Sequence, residues 1–171
     1  MTLDGSARNH FGDPSMYVGF WGGFNIHHGA LQFDLSPIPS TATVTDAALS
    51  LTGASARFLG TSGSWHLRLL DPTLDSGWTT RTYSDIHNAA TVADVPPVLI
   101  PSDLGADAVN TFTFDEDARS ALQARLSSTA RASFRLDGPD FGPNNLFTWH
   151  TGCGSSPAGK RPVLTITYSS P

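Results

Sequence analysis

Apolar and polar residues alternate over several short segments, and this pattern constrains the fold more than any other feature. Residues 30–35 show it clearly, and it recurs in seven further segments: 16–20, 43–52, 65–70, 111–114, 132–136, 146–150 and 163–168. Because successive side chains of a strand point to opposite faces, each segment predicts a strand with one buried face. Turn-forming clusters separate the segments, which favours an all-β fold, an antiparallel two-sheet β-sandwich of jelly-roll type.

One short helix is expected near residues 115–126. Asp115, Glu116 and Asp117 suit a helix N-terminus, where side-chain oxygens cap free N–H groups and negative charge is favoured. Apolar residues then recur at helical spacing: Ala118, Ala121, Leu122 and Leu126. The 171 residues fit one domain spanning 1–171, which is large enough to bury a core without a disulfide or a metal.

Composition excludes several classes of function. The net charge is −5, and the ten basic residues form no stripe that could displace the counterions of nucleic acid. Fourteen of the fifteen acidic residues are Asp, which favours turns over helices. The sequence contains no run of 18 apolar residues, so no membrane-spanning helix is expected. Cys153 is the single cysteine, so no disulfide within the chain is expected.

Four segments carry a resemblance to a known family. They are "GALQFDLSPIPSTATVTDAALSL" at 29–51, "NHFGDPSMYVGF" at 9–20, "NTFTFDEDARSAL" at 110–122 and "RPVLTITY" at 161–168. Together they resemble the DNRLRE-type domains, in which a strand ending in Phe-Asp-Leu-Ser meets a Pro-containing turn. The first segment and the closing strand are the most specific parts of the resemblance.

The resemblance implies a jelly-roll domain of secreted or surface-attached proteins. Such domains commonly sit beside catalytic or adhesive modules, and some members bind carbohydrate. We therefore expect an extracellular domain excised from a larger protein. The sequence departs from the family at 147–150, where Phe-Thr-Trp-His replaces a Ser-Arg-Glu, so no ligand role is carried over to those positions. The segment before Asn9 is also short, so the family's first strand is expected to be missing or truncated.

Aromatic residues in polar loops are the candidate ligand-binding residues. Sugar rings pack their C–H faces on aromatic rings, while nearby polar groups bond to hydroxyls. The candidates are a platform of Trp21 with Phe24, a platform of Trp78 with Tyr83 and Arg81, and Trp149 with Asn144. The alternative is that these rings close the open ends of the sandwich. Trp65 alternates with Leu67 and Leu69 and is expected in the core.

A structural calcium ion is the metal hypothesis, and no other cofactor is required. Asp71 and Asp75 fall in one long connection, and Asp137 and Asp140 fall in another, where oxygen ligands suit calcium. The alternative is that these Asp residues begin turns. The pair His27–His28 is interpreted as a solvated loop, since neighbouring strand positions face opposite ways and do not readily share a metal.

Three functions follow from these observations. The first is a non-catalytic binding module for a polysaccharide or cell-surface glycan, either carbohydrate-binding or adhesive. The second is a structural subunit that self-associates through a sheet edge into a surface layer or filament. The third is a polysaccharide-active enzyme, which we do not favour because no catalytic motif such as Gly-x-Ser-x-Gly or His-Glu-x-x-His occurs.

Overall fold

The computed structural model describes residues 2–3, 10, 12–22 and 25–170. Those residues form mainly antiparallel strands with two short α-helices. The strands are β1 (Thr2–Leu3), β2 (Ser15–Trp21), β3 (Asn25–Asp34), β4 (Thr43–Phe58), β5 (Trp65–Leu70), β6 (Thr91–Leu99), β7 (Val109–Thr113), β8 (Arg131–Asp137), β9 (Asn145–His150) and β10 (Val163–Ser169). The helices are α1 (Tyr83–His87) and α2 (Glu116–Leu126).

The strands form one sheet in the order β10-β4-β9-β2-β3-β8-β5-β6, with β1 paired to β3 and β7 paired to β4. The sheet curls until β6 lies beside β7, so the architecture is nearly closed and barrel-like. The all-β prediction is therefore confirmed. The predicted helix is also confirmed as α2, where the Asp115 carboxylate caps the helix by accepting the Ala118 N–H at 3.0 Å.

The core lies inside the curled sheet and is built by the alternation read from the sequence. In β5, Trp65, Leu67 and Leu69 face inward and are buried, while His66 and Arg68 face outward. The prediction that Trp65 belongs to the core is confirmed, and its indole Nε1 donates to the Val18 carbonyl at 3.2 Å. A buried tryptophan needs an acceptor for its indole N–H, and the Val18 carbonyl provides one.

The connection between β5 and β6, residues 71–90, covers part of the outward face of the sheet. Its carbonyls at Ile86 and His87 accept from Arg135 Nη1 of β8 at 2.7 and 2.8 Å. Beneath it, a second small apolar cluster forms from Ala30, Leu70, Leu74 and Ile86. The outward face is thus buried under the connection at one end and left open at the other.

Candidate functional site

A cavity of about 620 Å³ occupies the open end of the outward face. Its floor is the sheet itself, and its walls are the loops at 60–64 and 138–143. The buried side chain of Asn145 shapes one wall, since its Nδ2 donates to the Ser62 carbonyl at 2.5 Å and its Oδ1 accepts the Gly60 N–H at 2.8 Å. The cavity is therefore supported by the sheet rather than by the loops alone.

Three neighbouring strands deliver the polar floor. His28 comes from β3, Arg135 and Asp137 come from β8, and His66 and Arg68 come from β5. Antiparallel pairing places His66 opposite Asp137 and Arg68 opposite Arg135. Because these positions alternate with core residues, they all point to the same outward face.

Asp137 is the centre of a buried ionic network. Its carboxylate lies 2.7 Å from His28 Nδ1, 2.8 Å from Arg135 Nε and 2.9 Å from Arg68 Nη1. Burial by itself raises the pKa of Asp137, but the hydrogen bond from His28 and the charge of Arg135 outweigh it and hold that pKa below its usual value. The carboxylate is therefore ionised and fixed in position at neutral pH.

A second polar cluster continues from His28 toward α1. His28 Nε2 lies 2.9 Å from His87 Nδ1, and the Tyr83 hydroxyl lies 3.4 Å from the first atom and 3.2 Å from the second. Burial, and after it the proximity of His28 and the positive charge of Arg135, lower the pKa of His87. Burial and the negative charge of Asp137 raise the pKa of the Tyr83 hydroxyl. These shifts favour the neutral forms of both side chains.

The mouth of the cavity is partly apolar. The Phe141 side chain is 82% exposed, which is unusual for a large ring, and Ile26 of β3 also lines the cavity. The half-buried Arg68 bridges the largely buried Asp137 and the exposed Asp94, with Nε 3.1 Å from the Asp94 carboxylate. Fixed polar groups on the floor thus face an apolar rim.

The first aromatic candidates lie beside a wall of the cavity or outside the described residues. Trp21 ends β2 half-buried, with its ring centroid 4.1 Å from that of Phe58. Asn144 accepts the Gly22 N–H at 2.8 Å and so ties the Trp21 turn to the 138–144 loop. Phe24 falls outside the residues that the structure describes.

Trp149 is placed differently from what the sequence suggested. It is fully buried, packs edge-on to Phe147 with centroids 4.4 Å apart, and its Nε1 lies 3.3 Å from Asn110 Oδ1. The ring therefore has no face open to a ligand. Residues 146–150 form a strand, as the alternation predicted, but β9 is buried on both faces from Asn145 to Trp149, so this strand leaves no exposed face for the ring.

Trp78 and Tyr83 of the proposed platform both pack against the second apolar cluster, so neither ring lies free on the surface. Trp78 is half-buried against this cluster, which lies beneath the 71–90 connection. Arg81 Nη2 donates to the carbonyls of Thr73 and Ser76 at 2.7 and 2.8 Å and so braces the 71–90 connection. Tyr83 joins the histidine cluster next to the cavity.

The four Asp residues considered for calcium have separate surroundings. Asp71 accepts the Thr73 N–H at 2.9 Å, and the buried Asp75 receives the hydroxyls of Ser133 and Thr129 at 2.7 and 2.6 Å. Asp137 is held by its ionic network, and Asp140 lines the cavity wall. Within the described ranges, no group of three or more His, Cys, Asp or Glu is placed to hold a metal.

The interpretation of His27–His28 as a solvated loop is wrong. Both residues belong to β3 and point to opposite sides, His27 toward Tyr17 with ring centroids 6.4 Å apart and His28 into the cavity. Sequence reasoning also missed His66, Arg68 and Arg135. Each of these residues places a charged or imidazole side chain at an outward position of a predicted strand. That pattern indicates a site only if the strands are known to be neighbours, which the sequence does not show.

Comparisons with known proteins identify no family. No protein-family model matches the chain, and no curated protein matches it. Among solved structures, a similar one is "Xylanase10C (mutant E385A) from Cellvibrio japonicus in complex with xylopentaose", with 14% identity and a TM-score of 0.43. The match covers 99% of this chain and 29% of the xylanase, so this chain spans less than a third of that protein.

A search for membrane-spanning helices was negative for the part of the chain that the structure describes.

Proposed function

We propose that this domain is a non-catalytic extracellular module that binds an oligosaccharide segment in the cavity between the 60–64 and 138–143 loops. The observation that carries the proposal is the pairing of a rigid charged floor, centred on Asp137 and Arg68, with the exposed ring of Phe141 at the rim. Sites for small ligands combine a few fixed polar groups with apolar surface in just this way.

The floor is suited to hydroxyl groups because its side chains do not need to reorganise. Asp137 and Arg68 are already paired, and the half-buried His66 is oriented by a 2.9 Å contact between its Nε2 and Ser64 Oγ. Preorganised donors and acceptors lower the entropy cost of binding. His28, Arg68 and Asp137 thus present both donors and acceptors, as a polyhydroxylated ligand needs.

The size of the cavity and its rim agree with a short stretch of sugar chain. A volume of about 620 Å³ falls within the roughly 300–1,000 Å³ of typical ligand sites. Phe141 and Ile26 supply apolar surface for sugar C–H groups. The cavity is open at the surface, which suits a segment of a longer polysaccharide.

We further propose that the curled sheet is a jelly-roll sandwich. β2 and β3 pair over three residues next to their turn, from Gly19 with His27 to Trp21 with Asn25, after which β3 pairs with β8. That hairpin is therefore a corner between two layers, β6-β5-β8-β3 and β2-β9-β4-β10. The extracellular part of the proposal rests on the resemblance to DNRLRE-type domains, which implies secreted or surface-attached proteins.

Affinity electrophoresis against neutral and acidic polysaccharides, followed by calorimetry on the best binder, tests the function. Phe141→Ala should weaken binding by about 10-fold, or 1.4 kcal/mol, because the rim loses its ring. Tyr168→Ala is the matched control, since Tyr168 is 41% exposed in β10 and does not line this cavity. Equal affinity of the two variants contradicts the site, and no retardation by any polysaccharide contradicts the function. If the wild-type protein releases reducing ends from a polysaccharide and Asp137→Asn does not, the domain is an enzyme instead.

The edge of β10 favours a second candidate, a self-assembling subunit. Among the described strands β10 pairs with β4 alone, and its Val163 and Tyr168 are 46% and 41% exposed. An exposed edge can accept a strand from another copy. Light scattering across micromolar concentrations should show growth of the average mass if this candidate holds, and a constant monomer mass excludes it.

A further inference from the structure

We propose that His28, Tyr83 and His87 bind one transition-metal ion of the zinc or copper class beside the cavity. Three atoms, His28 Nε2, His87 Nδ1 and the Tyr83 hydroxyl oxygen, are separated by 2.9, 3.2 and 3.4 Å. Nothing in the carbohydrate proposal is needed for this inference.

The three separations match the edges of a coordination polyhedron. Donors about 2.0 Å from a tetrahedral zinc ion lie roughly 3.3 Å from one another. In the metal-free protein one of the two nitrogens carries the proton of the 2.9 Å contact, and moving the proton of His87 to its Nε2 leaves a lone pair on each of the three atoms. Hydrogen bonds alone can also hold these three side chains together. A hydrogen-bonded cluster, however, does not need all three ligand atoms to lie within 3.4 Å of one another.

Asp137 presents His28 in the form that a metal needs. Its carboxylate lies 2.7 Å from Nδ1, which favours the tautomer with the proton on that nitrogen and the lone pair on Nε2, the atom 2.9 Å from His87 Nδ1. Arg135 and Arg68 hold the carboxylate in turn. A carboxylate behind a ligating histidine is the common outer support of protein metal sites.

The other two donors are fixed by α1. Tyr83 and His87 are four residues apart and so share one face of the helix, with ring centroids 5.2 Å apart. Thr82 and Asp85 form a capping box at the N-terminus of α1. Arg135 holds the other end by donating to the carbonyls of Ile86 and His87.

The donor set selects the class of metal. Two imidazoles and a phenol oxygen suit borderline ions such as Zn²⁺ and Cu²⁺, whereas Ca²⁺ takes six to eight oxygens. The site is therefore distinct from the calcium site expected from the Asp residues. His28 and His87 also line the cavity, so a further coordination position opens toward it.

Calorimetric titration of untagged, EDTA-treated and dialysed protein with ZnCl₂, CuCl₂ and CaCl₂ tests the proposal. Wild-type protein should take one equivalent of Zn²⁺ or Cu²⁺, and Ca²⁺ should not compete for that equivalent. Tyr83→Phe, which removes one oxygen, and His87→Gln should each weaken binding by roughly 10-fold or more. Tyr168→Phe and His150→Gln change the same chemical groups elsewhere and should bind as the wild type does.

The copper complex gives an independent readout. Tyr83 bound to Cu²⁺ should produce a phenolate-to-copper charge-transfer band in the visible spectrum, and Tyr83→Phe should remove it. Thermal unfolding curves verify that each variant is folded before titration. The proposal is overturned if the wild type takes up neither ion, or if Tyr83→Phe and His87→Gln bind as tightly as their matched controls.

Discussion

His28 and Asp137 face each other on the neighbouring strands β3 and β8, with the imidazole Nδ1 2.7 Å from the carboxylate Oδ1. The pair connects the two polar clusters of the molecule, since Asp137 also holds Arg68 and Arg135 while His28 reaches His87 and Tyr83. Both side chains are largely buried, so the arrangement resists rearrangement by solvent.

Removing the charge of Asp137 should destabilise the fold. Asp137→Asn leaves the buried guanidinium of Arg135 without its anionic partner, and we expect a loss of about 3 kcal/mol in the free energy of unfolding. Asp94→Asn is the control, because Asp94 pairs with Arg68 at the surface and exposed pairs contribute about 1 kcal/mol or less. Urea denaturation measures both free energies of unfolding. Equal losses for the two variants would contradict a stabilising role of the buried network around Asp137.

Trp149 should matter for stability. Trp149→Ala removes a fully buried ring and its contact with Phe147, and we expect a loss of about 3–5 kcal/mol. Trp21→Ala removes a half-buried ring near the surface and should cost less. Near-ultraviolet circular dichroism and urea titration compare the two variants. A larger loss for Trp21→Ala would contradict the burial described above.

Gly19 should not tolerate a side chain. Its φ of +125° disfavours other residues, and an added Cβ would collide with the carbonyl oxygen of Asn145 on β9. Gly142 shares a positive φ of +101°, but nothing lies within 4 Å of its added Cβ. We therefore expect Gly19→Ala to lower the free energy of unfolding by clearly more than Gly142→Ala, which should cost about 1 kcal/mol. Similar melting temperatures would refute the close approach of β2 and β9.

Asp71 should titrate below an ordinary aspartate. The backbone N–H of Thr73 donates to its carboxylate, and this hydrogen bond lowers the pKa of Asp71. A lowered folded-state pKa means that Asp71 stabilises the fold above its unfolded pKa of 3.8, and that this contribution is lost as the pH falls through the lower folded value. Carbon-detected NMR of the Asp71 carboxyl measures the midpoint, and a value at or above 3.8 is the contrary outcome.

Local sequence patterns anticipated α2 but not α1. The longer helix has a capping aspartate and eleven residues of helical spacing, from Glu116 to Leu126. The shorter one has a capping box between Thr82 and Asp85 but only five residues, which is too few to show a period. Its position is set by Arg135, a residue of a strand that follows much later in the chain.

In the strands with clear alternation, such as β5, the sequence by itself determined which side faces the core. The two-residue period of β5 places Trp65, Leu67 and Leu69 inward and leaves His66 and Arg68 outward, since neighbouring strand residues point in opposite directions. The tertiary structure decided which outward residues meet. His28, Asp137 and Arg68 become neighbours because β3, β8 and β5 pair in that order, and α1 adds Tyr83 and His87 from above. Strand order depends on packing between segments that are distant in the sequence, and the local alternation of residues cannot predict it.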